Sequence, residues 1–278
     1  MTKIFTVANQ KGGVGKTTTS INLAASLASY GKRILLVDMD PQGNATMGSG
    51  INKSGLKITV LDVLTGEVNT EQAIQRSESG NYDLLPANGD LTAAEVGLLK
   101  GKSKESRLRH ALTRVKDNYD YIIIDCPPSL SMLTINSLVS CDGVIVPMQC
   151  EYYALEGLSA LLDTVRKIGQ FLNPKLQVEG ILRTMYDPRN SLTNEVTAQL
   201  REHFGDKVYR IAIPRNVRLA EAPSYGQPAL AYDKNSKGSL AYLGLAGEII
   251  RRAKPVVKQP TKQAGHSGQP VQSVQKAG

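Results

Sequence analysis

Two lysines lie five residues apart in a glycine-rich segment near the start of the chain, which reads KGGVGKTT at positions 11–18. Gly12, Gly13 and Gly15 allow backbone N–H groups to turn toward one ligand without clashes from Cβ atoms. A lysine and a threonine directly after such a loop form the pattern that binds nucleotide phosphates together with Mg²⁺. The segment therefore predicts a phosphate-binding loop, and a glycine-rich turn without a ligand is the alternative.

The two lysines have different expected tasks. The conventional loop G-x-x-x-x-G-K-[ST] places its first glycine where this chain has Gln10, so the segment departs from that pattern. Lys16 is expected to reach the β- and γ-phosphates and the Thr17 hydroxyl to bind Mg²⁺, while Thr18 completes the set of nucleotide contacts. Lys11 stands at the loop entrance, too far back to share the role of Lys16 on the same phosphates.

Carboxylates follow two apolar runs that are typical of buried strands. Asp125 ends the run YIIID, and Asp38 and Asp40 follow ILLV in the sequence VDMDPQGNAT. Asp125 stands where an acid holds Mg²⁺ through its water shell. A carboxylate just beyond a strand end, beside a phosphate loop, can position the attacking water or accept its proton. The alternative for these residues, above all for Asp38, is a turn or helix-capping role.

The placement of these groups depends on alternating strand and helix patterns. Apolar runs predict strands at 3–8, 33–38, 82–87, 121–128, 143–148, 178–185 and 208–214. Helical patterns predict helices at 17–31, 105–119, 154–172, 192–204 and 239–253. This alternation predicts an α/β fold with a mostly parallel, twisted sheet and helices on both faces.

The composition indicates a globular chain with a basic end. Aromatic residues make up 5% of the 278 residues and Trp is absent, so the core must be aliphatic. Residues 1–253 are predicted to form one domain, and the Pro-, Gln- and Lys-rich residues 254–278 a disordered tail. The net charge of +8 favours polyanionic partners. Neither a signal peptide nor an apolar run of transmembrane length is present, which predicts a cytoplasmic location.

Five motifs, taken in order, resemble those of the ParA/MinD ATPases, the deviant-Walker P-loop proteins. They are KGGVGKTT, VDMDPQGNAT, IIIDCPPSL, PMQCEYYALEGL and IPRNVRLAEAPSYGQP. The resemblance covers about residues 3–253 and is strongest to the chromosomal ParA (Soj) branch. It implies a P-loop NTPase fold, ATP and Mg²⁺ as cofactors, and a homodimer that encloses two ATP molecules between its subunits.

The resemblance also implies roles for residues that spacing alone leaves unassigned. Lys11 resembles the signature lysine that reaches across the interface to the partner's nucleotide, where it stabilises charge as an arginine finger does. Asp40 is similar to the family residue that positions the attacking water, and Asp38 to a supporting residue near Mg²⁺. Four more positions match the family: Gly12 and Glu151 at the dimer interface, and Pro214 and Asn216 near the adenine.

A DNA-partitioning ATPase is the function that this resemblance favours. Arg189 and Arg218 match positions at which ParA-type proteins contact DNA, and both lie in loop-like stretches suited to holding phosphates. The implied cycle is ATP-dependent dimerisation, binding to double-stranded DNA without sequence preference, and release when a ParB-type centromere-binding protein stimulates hydrolysis. Such a protein is expected on the nucleoid. Solvated surface arginines are the alternative interpretation of both residues.

Two other function classes share this fold. A MinD-like membrane-cycling ATPase that positions cell division is the alternative function. It needs a C-terminal amphipathic helix, whereas residues 254–278 contain three prolines and few large apolar side chains. Relatives that hold iron–sulfur clusters need cysteines in glycine-rich loops or a C-x-x-C, and Cys126, Cys141 and Cys150 fit neither arrangement. Because residues 254–278 lack the pattern of an amphipathic helix, no membrane partner is expected.

Overall fold

A computed structural model describes residues 1–93, 103–152 and 154–253 of the chain. Within these ranges one sheet has the strand order β3-β4-β2-β5-β1-β6-β7. Its strands are β1 (Lys3–Val7), β2 (Ile34–Asp38), β3 (Gln75–Ser77), β4 (Tyr82–Leu85), β5 (Tyr121–Asp125), β6 (Gly143–Gln149) and β7 (Gln177–Thr184). Neighbouring strands pair in parallel except β3 and β4, which are antiparallel. The prediction of a mostly parallel sheet is confirmed, while the tail predicted at 254–278 lies outside the described residues.

Helices cover both faces of this sheet. They are α1 (Lys16–Ser29), α2 (Asn44–Gly48), α3 (Val60–Thr65), α4 (Thr70–Ala73), α5 (Arg107–Val115), α6 (Met132–Ser140), α7 (Ala154–Phe171), α8 (Ser191–Phe204), α9 (Val217–Glu221), α10 (Ala229–Tyr232) and α11 (Lys237–Arg252). Ile122 and Ile124 of β5 pack into one apolar cluster with α5, α6 and α7, while Ile123 packs into another with α1 and α11. Successive side chains of a strand point to opposite faces, so one central strand contributes to both cores. In the described part of the chain, no helix is long and apolar enough to cross a membrane.

The five predicted helices are present, but their ends differ. The largest difference is at 105–119, where the α-helical part spans only Arg107–Val115 between 3₁₀ turns. Helices α2, α3, α4, α9 and α10 have four to six residues, too few for a periodic signal. Helix α6 is longer but buried on nearly all sides, so it lacks the polar face that marks a helix in a sequence.

The strand predicted at 208–214 is wrong. This segment runs beside β7 and forms only isolated bridges to it and to the residues after it. A few main-chain hydrogen bonds join it to β7 and to Tyr186, and two charged side chains satisfy other main-chain groups. The Arg183 guanidinium donates to the carbonyl oxygens of Tyr209 and Arg210, each at 3.0 Å. The Glu248 carboxylate accepts from the N–H groups of Arg210 and Ile211. Because these side chains satisfy main-chain groups that a neighbouring strand would otherwise bind, the segment does not form a regular β-ladder with β7.

The carboxyl ends of β1, β2 and β5 meet at one edge of the sheet. Asp38 and Asp125 are Cα partners in the β2–β5 ladder, and Val7 is the partner of Asp125 in the β1–β5 ladder. The chain leaves β1 directly into the glycine-rich loop and then enters α1. The loop and the carboxylates therefore lie together at the edge where open α/β sheets bind their ligands.

Candidate active site

The glycine-rich loop ends at the first residue of α1. Gly13 and Gly15 have φ values of 72° and 84°, which residues with a Cβ atom rarely adopt. Gly15 is the N-cap of α1 and has no side chain to cap the helix. The first-turn N–H groups of this 14-residue helix are thus left for an anion, which the positive end of the helix dipole also favours.

Hydrogen bonds to two other strands, β6 and β7, hold this loop in place. The Thr184 hydroxyl at the end of β7 donates to Val14 O at 2.9 Å. Asn9 donates from Nδ2 to Pro147 O in β6 and accepts the Lys11 N–H at Oδ1. The loop is therefore held to the sheet before any ligand binds, which lowers the entropy lost when phosphates are ordered.

Lys16 lies at the start of α1 with its ammonium over the loop. Nζ donates to Lys11 O at 3.1 Å, and the residue is only 7% exposed. Burial lowers the pKa of Lys16, and the charges of Asp125 and Asp40 act in the opposite direction. A partly desolvated cation beside free helix N–H groups is well placed to bind phosphate oxygens.

Asp125 accepts two hydroxyl hydrogen bonds from α1. Thr17 Oγ1 donates to Oδ2 and Ser20 Oγ to Oδ1, each at 2.8 Å. Burial raises the pKa of Asp125 to about 8, and the charge of Asp38 adds to the shift. The predicted magnesium residues Thr17 and Asp125 are thus brought together. Ser20 was not predicted; its signal is its position one helical turn after Thr17, on the same face.

Asp38 organises the turn that follows β2. Its Oδ2 accepts from Thr46 N at 2.8 Å and Thr46 Oγ1 at 2.7 Å, and its Oδ1 accepts from Asp40 N at 3.1 Å. Burial raises the pKa of Asp38 to about 6. Asp38 therefore has the turn-stabilising role that the sequence left open as an alternative. It also lies beside Asp125, next to the predicted magnesium site. Thr46 was missed because nothing in the sequence relates it to a carboxylate eight residues earlier.

Asp40 lies in the same turn, closer to the surface. The residue is 7% exposed, and its Oδ1 accepts from Gln42 N at 2.9 Å. This bond uses one carboxylate oxygen, so the other can accept a hydrogen bond from a water. Asp40 thus has the chemistry expected of a water-positioning residue.

The donor atoms at this edge of the sheet fit Mg²⁺. They are all hard oxygens: the Thr17 hydroxyl and the carboxylates of Asp38 and Asp125. Two adjacent buried carboxylates repel each other, which is the cause of part of the raised pKa of Asp125. A divalent cation would offset that repulsion, and Mg²⁺ typically uses one or two carboxylates together with phosphate oxygens and water.

Lys11 and Gly12 lie on the exposed side of the loop. Lys11 Nζ is 2.6 Å from Glu151 Oε2, in the turn between β6 and α7. A Cβ atom on Gly12 would have no described atom within 4 Å. The three residues predicted at a dimer interface therefore share one exposed surface beside the phosphate loop.

A cavity of about 170 Å³ opens beside the loop. Its lining includes Gly15, Thr18, Thr184, Met185, Pro214 and Asn216. The two residues predicted near the adenine are thus adjacent to the phosphate loop. Asn216 Oδ1 accepts from Arg218 N at 3.1 Å and caps α9, which leaves its amide nitrogen as a donor. Met185 has a φ of 49°, a strained value for this residue type that no sequence pattern indicated.

The two predicted DNA-contacting arginines are exposed and paired with carboxylates. Arg189 lies 2.7 Å from Asp187. Arg218 lies 2.8 Å from Glu221 and 3.4 Å from Asp233. Neither arginine lines the cavity beside the loop in the described part of the chain.

The fold and the site define a P-loop nucleotide-binding protein. The AAA domain family matches residues 2–178. Soj of Bacillus subtilis, a sporulation initiation inhibitor protein, is 54% identical over 249 residues, which are 90% of this chain and 98% of Soj. The chromosome partitioning protein ParA of Caulobacter vibrioides is 49% identical over 252 residues, 90% of this chain and 94% of ParA. The chain belongs to the ParA/MinD family of P-loop ATPases and is close to Soj and ParA.

Solved structures share the same architecture. Cobyrinic acid a,c-diamide synthase from Mycobacterium smegmatis, with bound ADP and magnesium, is 38% identical with a TM-score of 0.80, covering 91% of this chain and 95% of that one. The cell division ATPase MinD of Pyrococcus furiosus is 27% identical with a TM-score of 0.75, covering 91% of this chain and 100% of MinD. One of these neighbours is named as a synthase and the other as a cell division ATPase, so the fold alone does not decide the function.

Proposed function

We propose that the protein is an ATP-dependent DNA-partitioning ATPase. The observation that carries this proposal is the grouping of Lys16, Thr17 and Asp125 at the glycine-rich loop, in a chain 54% identical to Soj. In the proposed cycle, ATP builds a sandwich dimer, the dimer binds double-stranded DNA without sequence preference, and a ParB-type partner stimulates hydrolysis. Hydrolysis then separates the subunits and releases the DNA, so the protein is associated with the nucleoid in the cytoplasm.

The phosphate chemistry follows from the residues at the loop. Lys16 and the first-turn N–H groups of α1 hold the β- and γ-phosphates, while Thr17 and Asp125 hold Mg²⁺, with Asp38 supporting them. Bound Mg²⁺ neutralises phosphate charge. Asp40 orients the attacking water through its free carboxylate oxygen. Pro214 and Asn216 form the adenine side of the site.

Lys11 completes the site of the second subunit in this proposal. Its side chain lies on the exposed surface that also carries Gly12, so a second copy could approach it closely. A cation supplied across an interface to a transferring phosphoryl group is a known way to accelerate hydrolysis. The same surface would bring Gly12 of the two subunits near each other.

Arg189 and Arg218 form the proposed DNA contacts. Both are exposed, and DNA phosphates would replace their present carboxylate partners. Exposed ion pairs of this kind contribute little stability, so the exchange is energetically accessible. The net charge of +8 adds a general attraction to DNA.

The proposal is tested by measuring binding to random-sequence DNA with ATP, with ADP and without nucleotide. Binding is expected only with ATP, and it should weaken steeply between about 50 and 200 mM salt because phosphate contacts release counterions. Equal binding with ADP would contradict the switch. Anionic lipid vesicles provide a parallel assay, in which ATP-dependent binding to vesicles but not DNA would favour the MinD-like alternative.

A further inference from the structure

An ion pair joins the phosphate loop to the turn before α7. Lys11 Nζ and Glu151 Oε2 are 2.6 Å apart, and each side chain is 45% exposed. The residues are 140 positions apart in the sequence and meet because β1 and β6 are neighbours in the sheet. Lys11, which is proposed to bind the nucleotide of another subunit, therefore already has an anionic partner, Glu151, in its own subunit.

The main chain of Lys11 is held on both sides of its Cα atom. Its N–H donates to Asn9 Oδ1 at 2.9 Å, and its carbonyl accepts from Lys16 Nζ at 3.1 Å. Asn9 is itself anchored to Pro147 O at 2.8 Å. Only the side chain of Lys11 can therefore reorient without disturbing the loop.

The main chain of Glu151 is also held by hydrogen bonds. Its N–H donates to Gln149 O at 2.9 Å, and its carbonyl accepts from Ala154 N at 3.0 Å, in the turn that begins α7. Both main chains are thus held, and the contact between the two side chains is the part that can break.

We propose that Glu151 is a positioning residue that holds the Lys11 ammonium in its own subunit until the nucleotide of a second subunit displaces it. This inference rests on the function proposed above, in which Lys11 acts across a dimer interface. ATP presents more negative charge to Lys11 than one carboxylate does, and an interface that excludes water strengthens that attraction. Glu151 therefore opposes dimerisation of subunits and makes it depend on the nucleotide.

The test compares Glu151→Gln with the wild type in sedimentation experiments with Mg²⁺ and a non-hydrolysable ATP analogue. The variant is expected to reach half dimerisation at a protein concentration about two- to fivefold lower, since exposed ion pairs are weak. Asp163→Asn is the matched control, because it removes one carboxylate of the exposed Asp163–Arg166 pair in α7. This control should leave the midpoint unchanged.

A second measurement examines the ion pair without a dimer. In nucleotide-free protein, an amine-specific reagent should modify Lys11 faster in Glu151→Gln than in the wild type, as read by peptide mass spectrometry. Equal modification rates, or a midpoint that stays the same or rises, would overturn the inference; a rise would mean that Glu151 supports the interface directly. Failure of the wild type to dimerise with the analogue would instead refute the proposed function, while the modification rates would still test the ion pair.

Discussion

Asp38 and Asp125 are paired in register at the ends of β2 and β5, and both are fully buried. Each accepts hydrogen bonds from its surroundings, Asp38 from Thr46 and Asp125 from Thr17 and Ser20. These bonds stabilise ionised carboxylates, but burial outweighs them and raises both pKa values. The charge of Asp38 adds to the shift of Asp125, and the charge of Asp40 adds to both shifts. The pair therefore favours either a proton or a cation at this position.

The raised pKa values predict how stability depends on pH. The folded protein keeps protons that the unfolded chain has already released, so without Mg²⁺ and nucleotide its stability should fall as pH rises from about 4 to about 8. Thermal unfolding followed by circular dichroism should give a lower Tm at about pH 8 than at about pH 6. Asp125→Asn is expected to flatten this dependence, whereas the exposed Asp163→Asn should retain it. A Tm that rises over this window would contradict the assignment.

Lys11→Ala is expected to separate nucleotide binding from hydrolysis. ATP affinity should stay largely intact because Lys16 contacts the main-chain carbonyl of residue 11, which alanine keeps. Hydrolysis should fall by at least about a thousandfold, as expected for the loss of a cation supplied in trans, and the stable dimer should be lost with it. Binding of a fluorescent ATP analogue and phosphate release measure the two effects. Normal turnover would mean that Lys11 is only a surface charge.

Asp40→Ala is expected to trap the ATP dimer on DNA, because the attacking water loses its positioning group. The alanine also removes the hydrogen bond to Gln42 N, so Asp40→Asn is the matched variant that keeps an acceptor and removes the charge. Both variants should bind DNA with ATP and release phosphate at least about a hundredfold more slowly. If Asp40→Asn turns over ATP at the wild-type rate, another carboxylate positions the water.

Arg218→Glu is expected to abolish DNA binding while leaving ATP-dependent dimerisation intact. The new carboxylate would repel both DNA phosphates and its present partners Glu221 and Asp233. Arg166→Glu makes the same charge change at an exposed ion pair in α7 and serves as the control, with DNA affinity close to that of the wild type. Loss of dimerisation in Arg218→Glu would show instead that Arg218 has a structural role.

The sequence predicted those parts of the fold that local patterns determine. The apolar runs that became β1, β2, β4, β5, β6 and β7 were correctly placed because parallel strands buried on both faces need such runs. The run at 208–214 is also largely apolar, but it lies beside β7 at the edge of the sheet, where Arg183 and Glu248 bind some of its main-chain groups. The residue types within a run do not indicate which distant side chains will form hydrogen bonds with its main chain.

In the candidate site, too, the sequence predicted the residues that a local motif contains but not the contacts between distant segments. Lys16, Thr17 and Asp125 were recognisable from spacing, and the structure brings them together. The support from Thr46 and Thr184 depends on contacts between distant parts of the chain. The Lys11–Glu151 ion pair likewise exists only once β1 and β6 are side by side, so no local pattern could indicate it.

The way residues 208–214 are held also bears on nucleotide exchange. This segment leads into Pro214 at the rim of the cavity beside the loop, and it is secured by two side-chain clamps and a few main-chain bonds. Local opening there does not require a strand ladder to separate, whereas the phosphate loop is anchored to the central sheet. In the proposed function, where Pro214 lies beside the adenine, this segment would open without the phosphate loop, and a spent nucleotide would leave by that side while the loop stays folded.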